Sequence, residues 1–178
     1  MTRRLLVTRD SECLKPLRDL ITRQKRRTLV LWALECGRES LNLFESLHPD
    51  DTRPREALRS AEEWAAGRIK MPLAKRAAET AHHAANDAGD DHIARAAARA
   101  IGHVVGTVHT PGHAIGVAMY QITALLFASP RGDWASVMEN SCKLYCQRLL
   151  YWERHVDDEE RDWAGFLLRD HPVITGER

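Results

Sequence analysis

Apolar side chains recur every three or four residues through most of the chain, the spacing of an α-helix rather than the alternation of a strand. The pattern is densest over 91–129. There Ala94, Ala97, Ile101, Val104, Val105 and Val108 fall on one stripe, while Ala96, Ala100, His103, Gly106 and Thr107 form a second row of mostly small side chains. Past Thr110-Pro111 the pattern resumes with Ile115, Ala118, Met119, Ile122, Leu125 and Leu126, and its other side reads His113, Gly116, Tyr120 and Phe127. A helix apolar on two faces is surrounded by other helices. The spacing therefore predicts an all-α bundle of six to seven helices around a central pair, 91–108 and 111–129.

The remaining elements follow from caps and breakers. A short helix is expected to about Thr22, with Pro16 in or near its first turn. A long one spans 25–47, with Val30, Ala33, Leu34, Gly37, Leu41 and Phe44 as its core stripe. Pro49 marks a turn, and Pro54 opens a helix carrying Ala57, Leu58, Ala61, Trp64 and Ala65 that stops at Gly67. The helix at 72–88 has Leu73, Ala77, Ala81, Ala84 and Ala88 as its expected inward face. Asp90 or Asp91 caps the central pair. Thr110-Pro111 reads as a corner in preference to a proline kink in one long helix. A last helix starts near Trp134 and runs to about Trp163, with a break near 155–158. Its inward side chains are expected to include Leu144, Leu149, Trp152 and Val156. No linker or composition shift divides the chain, so 1–178 is expected to form one helical domain with a loose start and a loose tail.

Length and charge narrow the function classes only a little. The 178 residues have a net charge of +1, so no global field draws the chain to nucleic acid or to an anionic membrane. The distribution is uneven: residues 1–30 are strongly basic and 151–165 acidic, both ordinary for solvated helix faces. The longest nearly apolar run, 114–128, contains Gln121 and Thr123 and reads as too short and too polar to span a bilayer. The start lacks the apolar core of a signal peptide. Four cysteines show no disulfide framework: Cys142 and Cys146 lie four apart on one helix, and Cys13 and Cys36 stand alone. A cytoplasmic protein with reduced thiols is expected.

Two groups of residues could carry chemistry. His103, His109 and His113 lie around the central corner, and the i,i+4 spacing of His109 and His113 is a common half-site for zinc. No Glu follows the first of them, so the metalloprotease pattern is absent. The plainer reading is of packed histidines bonded to neighbours such as Tyr120 or Thr107, with no cofactor. His82 and His83 point about 100° apart and cannot both face one site; His82 is expected to be exposed and inert. Gly102-x-x-x-Gly106 reads as a close helix contact. The second group is the acidic run Asp157, Asp158, Glu159, Glu160, Arg161 and Asp162, flanked by Trp152 and Trp163. It is either a solvated helix face or a surface that steers a cationic partner. The basic neighbourhood of Arg26 and Arg27 is its counterpart.

Three segments carry a resemblance. Leu31-Trp32-Ala33-Leu34-Glu35-Cys36 leads to Leu43-Phe44-Glu45. Asp51-Thr52-Arg53-Pro54-Arg55-Glu56-Ala57 leads to Ala61-Glu62-Glu63-Trp64-Ala65-Ala66-Gly67. Ala96-Ala97-Ala98-Arg99-Ala100-Ile101-Gly102-His103 leads to His109 and then His113-Ala114. In this order and spacing they resemble the immunity-five-like family of bacterial immunity proteins, over about residues 28–165. The resemblance implies a non-enzymatic helical protein of a polymorphic toxin system that binds a cognate toxin and occludes its surface. It implies no residue roles. Asp157, Asp158, Glu159, Glu160, Trp152 and Trp163 are the candidate partner-binding residues, with no membrane or direct nucleic-acid partner expected and homo-oligomerisation left open. The alternative is a metal-dependent or acid–base helical enzyme centred on His103, His109 and His113.

Overall fold

The computed structural model describes residues 6–169. Its α-helices are α1 (Lys15–Ile21), α2 (Arg26–Leu47), α3 (Arg53–Ala65), α4 (Met71–Asp87), α5 (His92–His109), α6 (Ala114–Ala128) and α7 (Trp134–His155), and no strand occurs among the described residues. The all-α bundle is as the spacing predicted. α5 is its axis and packs on α6, α2, α4 and α3. Its apolar stripe is fully enclosed, with Ile101 and Val104 at 0% exposure, and each such side chain contributes roughly 1.5–3 kcal/mol through burial. Asp91 caps the helix: one carboxylate oxygen accepts from the Ala94 N–H at 2.9 Å, and the other meets His48 Nε2 at 3.1 Å. The same residue thus satisfies an orphan donor and ties down the turn between α2 and α3.

Thr110 is extended (φ −122°, ψ 103°), and a 3-10 turn over Pro111–His113 feeds α6. The junction is a corner, not a kink. α6 packs against α5, α2 and α7. By length and mean hydropathy (1.2) the span Pro111–Ala128, which adds the 3-10 turn to the run 114–128 expected to be too short and too polar, could cross a membrane. Its buried side chains belong to the core, as those of an enclosed helix do.

Two inward faces differ from expectation. On α4, Leu73 is 55% exposed, and the buried positions are Ala74, Ala81, Ala84 and Ala85. The smallest side chains face inward because α4 lies close to α3 and α5, which leaves Leu73 at the solvent edge. On α7, Leu144 is 40% exposed, and Cys142, Tyr145, Leu149 and Val156 turn inward. Tyr145 sets that phase by meeting Trp32 edge-on at 6.1 Å, while the Trp32 indole N–H donates to the Tyr145 carbonyl at 3.1 Å.

α7 ends at His155. The chain then crosses the start of α2 and returns to α3, where the Ala164 N–H donates to the Ala65 carbonyl at 2.7 Å and Leu167 is buried. Gly67 (φ +77°) makes this possible, because its backbone is left-handed and a Cβ there would lie 3.3 Å from Ala164 Cα. At the other end Val7 is fully buried and Arg9 donates to the Gly112 carbonyl at 3.2 Å, so the segment from residue 6 is packed rather than loose. The expected loose tail after Pro172 lies outside the described residues.

Candidate functional site

The second row of α5 and the polar side of α6 face each other, and what fills the space between them is imidazole. His103, on α5, lies over Gly116 of α6, where an added Cβ would collide with its ring. His113 covers Gly106, where a Cβ would stand 2.7 Å from its Cγ. His82, from α4, covers Gly102 in the same way. Three glycines thus act as seats for three histidine rings. The expected backbone contact at Gly102 and Gly106 is instead a ring contact.

His103 Nδ1 and His113 Nδ1 lie 3.1 Å apart, so one donates and the other accepts. The His103 ring also stacks on Tyr120 at 5.1 Å and meets His82 edge-on at 6.1 Å. Burial, with His113 and His82 beside it, pushes the His103 pKa down to about 4. Burial also lowers His82, helped by Arg99, and lowers His113, helped by Arg9. The three form a neutral cluster near pH 7. His109 does not join it. Its ring stacks almost parallel on Trp64 at 5.8 Å and lies 6.5 Å from Phe166. The trio expected from sequence therefore exchanges one member: His82, expected to be exposed and inert, takes the place of His109. No group of three His, Cys, Asp or Glu side chains is arranged to hold a metal among the described residues.

Beside the cluster runs a cleft. One cavity of about 510 Å³ is lined by residues including Arg26, Ile69, Lys70 and Phe166. A second, of about 330 Å³, is lined by residues including Lys75, Glu79, His82 and His113. Trp64, Met71 and His109 border both. Trp64 is almost wholly buried, whereas Met71 is 47% exposed. Sequence reasoning placed Trp64 in the core and did not assign Met71 or Phe166. No local signal could have done so, because the cleft joins α3, α4, α5 and the 163–167 segment.

The acidic run folds back onto the basic start of α2. Asp157 accepts from Arg27 at 2.8 Å and from Lys25 at 3.4 Å, and Arg27 first, then Lys25, hold its carboxyl below the usual range. Asp158 meets His155 Nδ1 at 2.9 Å, and Asp162 lies 3.6 Å from Arg68. Glu159 and Glu160 are exposed. Trp163 carries the Arg161 and Arg27 guanidinium groups at 5.0 and 5.8 Å from its ring centre. Trp152 is turned toward α2, its indole N–H donating to Glu35 at 2.6 Å. The acidic and basic patches are thus neighbours on one face, partly neutralising each other.

Over residues 19–148 the chain matches the model of a family described as "Imm-5 like putative immunity protein". The chain belongs to this family. No curated protein and no solved structure matches it. The matched stretch of this Imm-5 like protein contains the three histidine seats, Arg26, Trp64, Met71 and His109, and thus most of the cleft. It stops before Trp152, Trp163, Phe166 and the acidic run, so the family match says nothing about those residues.

Proposed function

We propose that this Imm-5 like protein neutralises a cognate bacterial toxin by binding it and covering its working surface, in the cytoplasm of the cell that makes both. The family match over 19–148 carries the reading. Physical features support it. An occluding protein needs a rigid patch of roughly 800 Å² on its own side, centred on aromatic or arginine anchors. Trp163 with Arg27 and Arg161, and Trp64 with Met71 and Phe166, supply such groups on neighbouring stretches of surface. Asp158, Glu159 and Glu160 add an anionic rim that would steer a basic partner, with Asp157 already occupied by Arg27 and Lys25. Trp152 would support the rim from behind through its bond to Glu35 rather than touch the partner.

The test is co-expression with candidate toxin domains, sought first among the genes next to this one. The reading predicts protection of the cell and a complex that survives two purification steps. Protection without a complex would sink occlusion as the mechanism.

A further inference from the structure

Arg26 lines the cleft beside Trp64 and brings a positive charge to it. Its Nη2 donates to the His109 carbonyl at 2.7 Å and its Nη1 to the Phe166 carbonyl at 3.4 Å. Its guanidinium carbon stands 5.3 Å from the centre of the Phe166 ring. Nε is buried with no partner. No carboxylate pairs with it among the described residues, whereas the next residue, Arg27, pairs with Asp157. Burial lowers its pKa, and no neighbouring anion among the described residues opposes that shift. Lys70 lines the same cavity and Lys75 the adjoining one, against a single acidic side chain, Glu79. A half-buried cation without a counter-charge is costly to hold, and an arriving anion relieves the cost.

The rest of the cleft is apolar. Trp64 and His109 stack, Phe166 lies tilted against Trp64, and Met71 (47% exposed) stands in solvent on the first turn of α4. Tryptophan and arginine at the centre of a preformed pocket are the usual anchors of a protein interface.

We propose that the cleft between α3, α4, α5 and the 163–167 segment is a docking site for a loop of the protein partner that carries an acidic side chain beside a large apolar one. The carboxylate meets Arg26, with Lys70 at the rim, and the apolar side chain lies against Trp64 and Met71. The identity of the partner as a toxin rests on the reading above; the chemistry of the cleft does not.

The test separates the two. The full chain, 15N-labelled, is titrated with the blocked pentapeptide acetyl-Gly-Leu-Glu-Phe-Gly-amide and with the same peptide carrying Gln in place of Glu. The Glu peptide should shift the Trp64 indole resonance and those of residues 69–71, and bind at least fivefold more tightly than the Gln peptide. Arg26→Gln should abolish that difference. Because Arg26 also bonds to two backbone carbonyls, Lys70→Gln serves as the variant that leaves the fold untouched, and it should narrow the difference. Equal binding of both peptides, shifts confined to other surfaces, or displacement of the 170–178 resonances from the cleft by the peptide would each overturn the proposal. The toxin, once paired, gives the second arm. Met71→Asp should weaken its binding at least tenfold, and unchanged binding would remove the cleft from the interface while leaving neutralisation intact. Failure of every form to bind the toxin would refute neutralisation, and the peptide titration would still decide the chemistry of the cleft.

Discussion

The glycine seats make Gly116→Ala an informative substitution. Alanine is the better helix former, by up to about 1 kcal/mol, so an unobstructed Gly→Ala change in α6 would stabilise the protein. At this position the new methyl would overlap Nδ1, Cε1 and Cγ of the His103 ring. The ring cannot swing away freely, because Tyr120 stacks on one side and His113 bonds to it on another. Forcing a methyl into a filled space costs about 1–3 kcal/mol. The net expectation is a loss of about 1–2 kcal/mol, or a fall of about 2–8 °C in melting temperature for a chain of this size. Thermal melts followed by circular dichroism would read it. A double-mutant cycle assigns the cause: in a His103→Ala background the same Gly116→Ala change should become neutral or stabilising. An unchanged or raised melting temperature for Gly116→Ala in the wild-type background would refute the seat.

Two further outcomes follow from the same geometry and charges. His103 is neutral in the fold and titrates near 4 there, against about 6.5 unfolded; the unfolded chain therefore takes up protons first, and stability present above pH 6.5 should decline by about 3 kcal/mol as pH falls to 4. Lowered His82 and His113, which face it from α4 and from the corner, add in the same direction, and urea midpoints from pH 8 to 4.5 should flatten in His103→Gln; an equally steep profile would show that the cluster is not the source. For the acidic rim, Asp158→Lys with Glu159→Lys should leave the melting temperature within about 1 °C and slow association with the toxin several-fold, with the difference shrinking as salt rises. Kinetics identical to wild type at every salt concentration would remove the rim from the interface.

Helix positions and the corner at Thr110 were legible because capping, proline and 3.6-residue spacing are local signals. The inward faces of α4 and α7 were less so. An alanine-rich helix has no strong apolar phase, and the phase of α7 is fixed by the pairing of Trp32 with Tyr145, more than a hundred residues apart. Sequence spacing points to the right region for the histidines but groups them wrongly. His109 is adjacent to the corner and turns outward onto Trp64, while His82 reaches the cluster from another helix. Cys13, read as isolated, lines the same cavity as Cys142, whose thiol is pushed up to about 12 chiefly by burial. Each of these misreadings concerns a contact between elements far apart in the chain, where periodicity carries no information. The neighbouring acidic and basic patches were each visible in composition; that they pair with each other was not.

The central claim is that this Imm-5 like protein acts by stoichiometric occlusion, and a titration tests it most directly. A fixed amount of the paired toxin domain, well above the dissociation constant, is mixed with increasing amounts of this protein and the residual toxin activity is measured. Occlusion predicts a linear fall to zero at a fixed molar ratio, independent of incubation time, with activity restored when the complex is taken apart. Complete inactivation by a small fraction of an equivalent, progressing with time and persisting after separation, would mean that the protein modifies the toxin chemically and would contradict the account.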